Sequence, residues 1–310
     1  MPRSPSSGQV RLINRQLLQR WPLPLPAREG DKEARGQVLI VGGARQMPGP
    51  MILAATAALR AGAGKLQIAT VASVAPVVGA VVPEALVHGV AEGDDGSFAR
   101  QTAPELVAAA RGARAILIGP GMLENQTLSD LVLAILRALD ERQTVVLDAG
   151  AMTTFGGRLA ELAALQLRCP LVLTPHSGEM ATLLGQEKDQ MVADQAAVAI
   201  GAARTLGAVI VHKGAETVVT DGKESFRNRA GNVGLATSGS GDVLAGLIAG
   251  LAARGATPLQ AATWGVFLHA CAGDRLARVH GPMGYLAREL GAEVPRLMAA
   301  YGATPRSGHR

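Results

Sequence analysis

The stretch AILIGPGMLENQTLSDLVLAILRALDERQTVVLDAGAM, residues 115–152, decides the fold. It opens with a short β-branched run, AILIG (115–119), and passes a Gly-Pro-Gly turn. An Ala/Leu-rich stretch of helical period follows over 125–142, and a second β-branched run, TVVLD (144–148), closes it. Apolar runs of four or five residues without alternation suit strands buried on both faces, and an intervening helix makes such strands parallel. The rhythm extends outward in both directions. QVLIV (37–41) and KLQIAT (65–70) come before, PLVLT (170–174) and AVIVHK (208–213) after, with helical stretches at 51–61, 102–111 and 191–206. The pattern predicts a single three-layer α/β/α domain with a mainly parallel sheet. Beyond Lys213, ETVVTDGKESFRN reads as a hairpin with Asp221-Gly222 as a two-residue turn, placed at the sheet edge or beside a binding site. Two helices then follow a Gly-rich loop, the second spanning 259–279.

Of the 310 residues, 48% are hydrophobic and 18% charged, which allows a large core. Only 3% are aromatic, so a stacking platform for single-stranded nucleic acid is disfavoured. The net charge of +5 sits at the ends. Residues 1–35 hold seven Lys/Arg against three Asp/Glu and 288–310 four against two, whereas 36–287 holds nineteen against twenty. A nucleic-acid binder needs its basic face on the folded body. Cys169 and Cys271 lack metal-binding or CxxC spacing and read as buried, reduced thiols. The start lacks the apolar core of a secretory signal. The longest uncharged run, 66–83, is interrupted by Gln67, Thr70, Ser73 and Pro76, and reads as strand, turn and buried helix rather than a membrane span. These features predict a cytoplasmic protein with no nucleic-acid or membrane partner. Residues 1–35, with an amphipathic piece at 10–21 and a Pro-rich continuation, read as an N-terminal extension, 36–300 as the domain and 301–310 as a C-terminal tail.

The strongest chemical signal is TSGSGD (237–242), directly before an apolar helix. Glycines let backbone N–H groups approach an anion, and the helix start adds partial positive charge. Asp242 would repel a bound phosphate, so it reads as a base that takes a proton from a hydroxyl attacking a phosphoryl group. The competing reading is a simple helix cap. KGAET (213–217), LTPHSGEM (173–180) with His176, LDAGAM with Asp148, IGPGM with Gly119 and Gly121, and the turn GGARQMPGP (42–50) all follow strands. Ligands bind at the carboxyl ends of strands in open α/β sheets, so this convergence marks a site. No Walker loop, GxGxxG, HExxH or GxSxG is present.

In this serial order the segments GQVLIVGGARQMPGP, VVPEAL, AILIGPGM, VVLDAGAM, VLTPHSGEM, IVHKGAET and AGNVGLATSGSGDVLAGLIAGL resemble the ADP/ATP-dependent NAD(P)H-hydrate dehydratases of the ribokinase-like superfamily, over roughly residues 36–280. The resemblance implies dehydration of the S form of NAD(P)H hydrate to NAD(P)H at the expense of ADP, giving AMP and phosphate, or of ATP. It implies Asp242 as catalytic base, with Gly121 and His176 contacting the hydrated dinucleotide. Lys213, Gly214, Ala215, Glu216, Thr217 and Gly241 would line the adenine nucleotide, and N–H groups of Gly239, Ser240 and Gly241 would hold the transferring phosphoryl. Mg2+, with no assignable ligands, would bridge the nucleotide phosphates. A homo-oligomer, tetrameric in the family, and an NAD(P)H-hydrate epimerase on a separate chain are also implied. Three positions depart from the family pattern. Pro50 stands where a small residue is usual and lacks an N–H, Ser177 replaces a common Pro, and Gly150 replaces a common Asp. The alternative reading is a ribokinase-like kinase for a vitamin-precursor alcohol, which shares Asp242 but ends at a stable phosphate ester.

Overall fold

Because the β-branched runs are apolar on every residue, both of their faces demand cover, and helices supply it. A computed structural model of the chain describes residues 10–25 and 35–302. Ten strands form one sheet: β1 Val10–Leu12, β2 Gln37–Val41, β3 Lys65–Val71, β4 Ala85–Val90, β5 Ala115–Ile118, β6 Thr144–Leu147, β7 Leu171–Leu173, β8 Val209–His212, β9 Thr217–Thr220 and β10 Ser225–Asn228. Their order is β1-β10-β9-β8-β7-β6-β5-β2-β3-β4, parallel throughout except where β9 pairs with β8 and β10. Register places Ile40 of β2 between Ile68 of β3 and Leu117 of β5. β2, β5, β6 and β8 are buried almost end to end.

The helices are α1 Arg15–Arg20, α2 Gly49–Arg60, α3 Ala75–Val81, α4 Ala103–Arg111, α5 Gln126–Arg137, α6 Gly150–Thr153 and α7 Leu159–Ala164. After them come α8 Ser177–Leu184, α9 Lys188–Ala193, α10 Gln195–Leu206, α11 Ser240–Ala253, α12 Pro258–His280 and α13 Ala287–Gly302. α2, α11, α12 and α13 pack on one another over one face, while the run from α4 to α10 covers the other. The sheet is thus mainly parallel and flanked by helices on both faces.

Several local expectations differ from what forms. The stretch 191–206 is two helices broken at Asp194, whose carboxylate caps α10 by accepting from the Ala197 N–H at 3.0 Å. The hairpin turn has four residues, not two, because Asp221 Oδ1 accepts from both Lys223 and Glu224 N–H and holds a wider loop. The helix in the uncharged run buries only Val78, so α3 lies on the surface. Residues 10–21 supply β1, parallel to β10, and α1. Trp21 sits against Phe226 with ring centroids 5.7 Å apart, and its carbonyl accepts from Trp264 Nε1 at 2.8 Å. Most of the Pro-rich lead-in and the tail beyond Gly302 lie outside the described residues.

Candidate active site

The carboxyl ends of β6, β7 and β8 and the amino end of α11 surround a cleft of about 850 Å³. Asp148 and Ala149 enter it from β6, His176 and Glu179 from the start of α8, and Lys213, Gly214 and Ala215 from the end of β8. Ser240, Gly241 and Asp242 come from α11, and Thr217 starts β9. α12 adds Val266, His269 and Ala270, and the loop 230–237 supplies an apolar wall with Val233 and Leu235. That loop is tied down: Asp274 accepts from Gly231 N–H at 3.0 Å and Asn232 Nδ2 at 3.1 Å, and Tyr285 O–H donates to Asn232 Oδ1 at 2.9 Å.

Eight of the expected residues therefore share one cleft: His176, Lys213, Gly214, Ala215, Thr217, Ser240, Gly241 and Asp242. Gly121, Glu216 and Gly239 do not line it. Gly121 sits after β5, where a Cβ would come within 2.4 Å of the Met47 carbonyl, so it packs the turn against the 42–50 loop. The Glu216 carboxylate turns away to Arg227 at 3.0 Å and Arg229 at 2.8 Å. Gly239 is the N-cap of α11 at φ +87°, a conformation that favours glycine, and a Cβ there would strike Leu53. Asp242 lies in the first turn beyond that cap, so the N-cap itself is Gly239 and not Asp242. The Ser240 N–H is committed to the Thr237 carbonyl at 3.2 Å. It is not free for an anion, which corrects its expected role as a backbone donor.

Charge in the cleft is organised around Lys213. Its Nζ lies 3.4 Å from Asp148 Oδ1 and 3.5 Å from Glu179 Oε2. Burial pushes its pKa down, but the two carboxylates outweigh this and hold it above the ordinary lysine value. Asp148 is held in turn by the Thr174 hydroxyl at 2.5 Å. The next residue, Ala149, adopts φ +46°, rare for a residue with a side chain, which marks local strain beside this carboxylate. The Asp242 pKa is raised to about 7, first by burial and then by the charge of Asp148, with Lys213 opposing and Glu179 adding a smaller push. Such a carboxyl is poised to exchange a proton near neutrality. His176 is the N-cap of α8. Its Nδ1 accepts from Gly178 N–H at 3.0 Å and Glu179 N–H at 3.2 Å, while Glu179 Oε2 accepts from the His176 N–H. Nδ1 is thus the acceptor of the cap.

In the sequence Asp148 is legible only as a polar strand end and Thr237 only as the start of TSGSGD, and no sequence pattern assigns a role to Glu179, Asn232 or His269. Signals existed for two of them. Glu179 completes an N-cap pattern three residues after His176, and His269 interrupts an otherwise apolar helix. Among the described residues no group of three or more His, Cys, Asp or Glu is disposed to hold a metal ion. The cleft carboxylates nevertheless outnumber Lys213, which fits a hard cation that arrives with phosphates and takes one or two carboxylates.

The family model for NAD(P)H-hydrate dehydratase matches residues 38–296. The ADP-dependent (S)-NAD(P)H-hydrate dehydratase of Xanthomonas campestris is 48% identical over 94% of this chain and 96% of its own length. The bifunctional NAD(P)H-hydrate repair enzyme Nnr of Moorella thermoacetica is 37% identical over 93% of this chain, which spans 57% of that longer protein. The crystal structure of the ADP/ATP-dependent NAD(P)H-hydrate dehydratase from Bacillus subtilis, co-crystallized with ATP/Mg2+, superposes with a TM-score of 0.81 at 31% identity, covering 95% of this chain and all of that one. With the family model spanning most of the chain and a relative this similar over nearly all of its length, the chain belongs to the NAD(P)H-hydrate dehydratase family.

Proposed function

We propose that the protein is an ADP-dependent (S)-NAD(P)H-hydrate dehydratase that returns hydrated NADH and NADPH to their reduced forms. The observation that carries the reading is Asp242, a carboxyl with a pKa near 7 in the first turn of a Gly-led helix, facing Lys213 across the cleft. Hydroxide leaves poorly, so the substrate hydroxyl is converted to a phosphate ester first. Asp242 takes the hydroxyl proton as the oxygen attacks the terminal phosphorus of ADP, and the bond to the AMP oxygen breaks. The ring nitrogen lone pair then expels phosphate, and loss of a proton from the adjacent ring carbon restores the double bond. The products are NAD(P)H, AMP and phosphate. Lys213 balances charge on the nucleotide, and Gly241 and Ser240 face the transferred group. Lys213, Gly214, Ala215 and Thr217 line the nucleotide, while Glu216 braces the segment by accepting from Gln195 Nε2 at 3.0 Å through its carbonyl. His176 and Gly121 lie on the side of the hydrated dinucleotide.

Asp148 and Glu179 are the carboxylates that would hold a Mg2+ arriving with the nucleotide, and the ion would neutralise charge developing in transfer. A cytoplasmic homo-oligomer, with the epimerase on a separate chain, completes the reading. Among the described residues no helix is long and apolar enough to cross a membrane. The test is incubation with NADHX and ADP or ATP in parallel. Release of inorganic phosphate with recovery of reduced-nicotinamide absorbance is the expected result. Accumulation of a stable phosphate ester would instead establish the kinase alternative.

A further inference from the structure

Ser240 presents a puzzle of hydrogen bonding whose solution lies on another helix. Its N–H is spent on Thr237, so only its hydroxyl can act on a ligand. His269, from the middle of α12 and only 8% exposed, places Nε2 at 3.0 Å from both the Ser240 hydroxyl and the Ser240 carbonyl. A carbonyl oxygen can only accept, so Nε2 carries the proton and serves both oxygens at once. The opposite tautomer would set a nitrogen lone pair against a carbonyl lone pair at that distance. With Nε2 as donor, the Ser240 hydroxyl is an acceptor toward His269, and its own proton is directed elsewhere. Ser240 lines the cleft, between Gly241 and the glycine cap. Burial pushes the imidazole pKa down to about 4, against the Ser240 carbonyl, so the ring is neutral across the physiological range.

We infer that His269 is a positioning residue that, by donating Nε2–H to Ser240, aims the Ser240 hydroxyl proton at the phosphoryl group in transit. This rests on the dehydratase reading of the same cleft.

The test combines kinetics with a direct view of the ring. Removing one donor to a developing oxyanion typically costs roughly 10²–10³ in kcat. Ser240→Ala and His269→Leu should each lower kcat by at least about tenfold, and the double variant should fall no further than the worse single one. His269→Gln, which keeps an N–H donor near Nε2, should lose several-fold less than His269→Leu. Losses that multiply in the double variant, or an unchanged kcat in His269→Leu, would overturn the inference while a working wild type left the dehydratase reading intact. A wild type that does not dehydrate NADHX would sink that reading first. Independent of activity, nitrogen-15 NMR of histidine-labelled wild type should show a neutral Nε2–H ring that does not titrate between about pH 6 and pH 8 and is identified as His269 by its loss in His269→Gln. An Nδ1–H or titrating ring lost in His269→Gln would refute the hydrogen-bond assignment whatever the activity of the variants.

Discussion

At the scale of single residues, the site is a contest between burial and neighbouring charge over one proton. Asp242 ends with a pKa near 7 because burial and the charge of Asp148 outweigh Lys213. Asp242→Asn keeps the shape but cannot take the proton, so kcat should fall at least about 100-fold while nucleotide affinity holds. Stability should move the other way. A carboxyl with pKa near 3.9 unfolded and about 7 folded binds its proton more tightly in the native state. Wild-type stability contributed by this group is therefore full below pH ~4 and is lost as pH rises through 7. The variant's advantage in melting temperature should accordingly be absent near pH 4 and greatest near pH 8. A variant with near-normal kcat would remove the base. The same electrostatics predicts an acid limb near pH 7 in the wild-type rate profile. Asp148→Asn, which removes a like charge, should move that limb to lower pH, and Lys213→Met should move it higher. Shifts in the reverse directions, measured at saturating nucleotide, would mean the titrating base is another group. Asp242, Lys213 and His176, and Asp148 as a strand end, are legible in the sequence because each sits in a Gly- or Pro-marked turn. The partners Asp148, Glu179 and His269 acquire their roles from strand order and helix packing, which sequence spacing does not encode.

At the scale of elements, the catalytic loop is held by how closely α11 approaches α2. Gly246 and Gly250 face Ala54 and Ala58 so tightly that a Cβ at Gly246 would lie 2.2 Å from the Ala54 carbonyl, and one at Gly250 2.5 Å from that of Ala58. Small residues four apart on both helices let the backbones meet. Gly246→Ala should thus destabilise by about 1–3 kcal/mol, through overpacking against backbone that cannot yield. Gly201, exposed in α10 with nothing within 4 Å, supplies the control of opposite sign. Gly201→Ala should stabilise by about 0.5–1 kcal/mol, since it removes only unfolded-state freedom. Thermal melts of the two variants separate packing from propensity, and equal signs would defeat the close-approach argument. The Ala/Leu periodicity showed that a helix follows GSGD but not which face meets which partner. Where local side-chain bonds compete with a repeat, reading by period also fails. Asp194 caps a new helix inside the run 191–206, and Asp221 widens a turn that Asp-Gly would otherwise close in two residues.

At the scale of the molecule, the chain runs from β2 outward to β4, crosses back to β5 on the other side of β2, and continues to β8. Strand ends with glycines or charges thereby gather at one edge, which is why several weak motifs could be read together as a single site. The alternation that made this core legible gives no hint of its far edge. The amphipathic segment 10–21 could be heard in the sequence, but its partner, β10, lies over two hundred residues away. There β1 covers the β10 edge at Ser225–Arg227, and the carbonyls of Trp21, Pro22 and Pro24 accept from Trp264, Gln260 and Arg254. Trp264 is fully buried, so removing its acceptor strands an indole N–H in the core, a cost of about 1–3 kcal/mol before the lost apolar contacts are counted. An uncovered β10 would also offer a free edge to other chains. Deleting residues 1–24 should therefore lower stability by at least about 2 kcal/mol and produce concentration-dependent light scattering. No described residue of this strap lines the cleft, so kcat measured well below the melting transition should stay within about threefold of wild type. A truncated protein as stable as the full chain would show that the strap is dispensable cover. A large loss of kcat in a folded truncation would show instead that β10, which carries Asn228 into the cleft, needs β1 to hold the nucleotide wall in place.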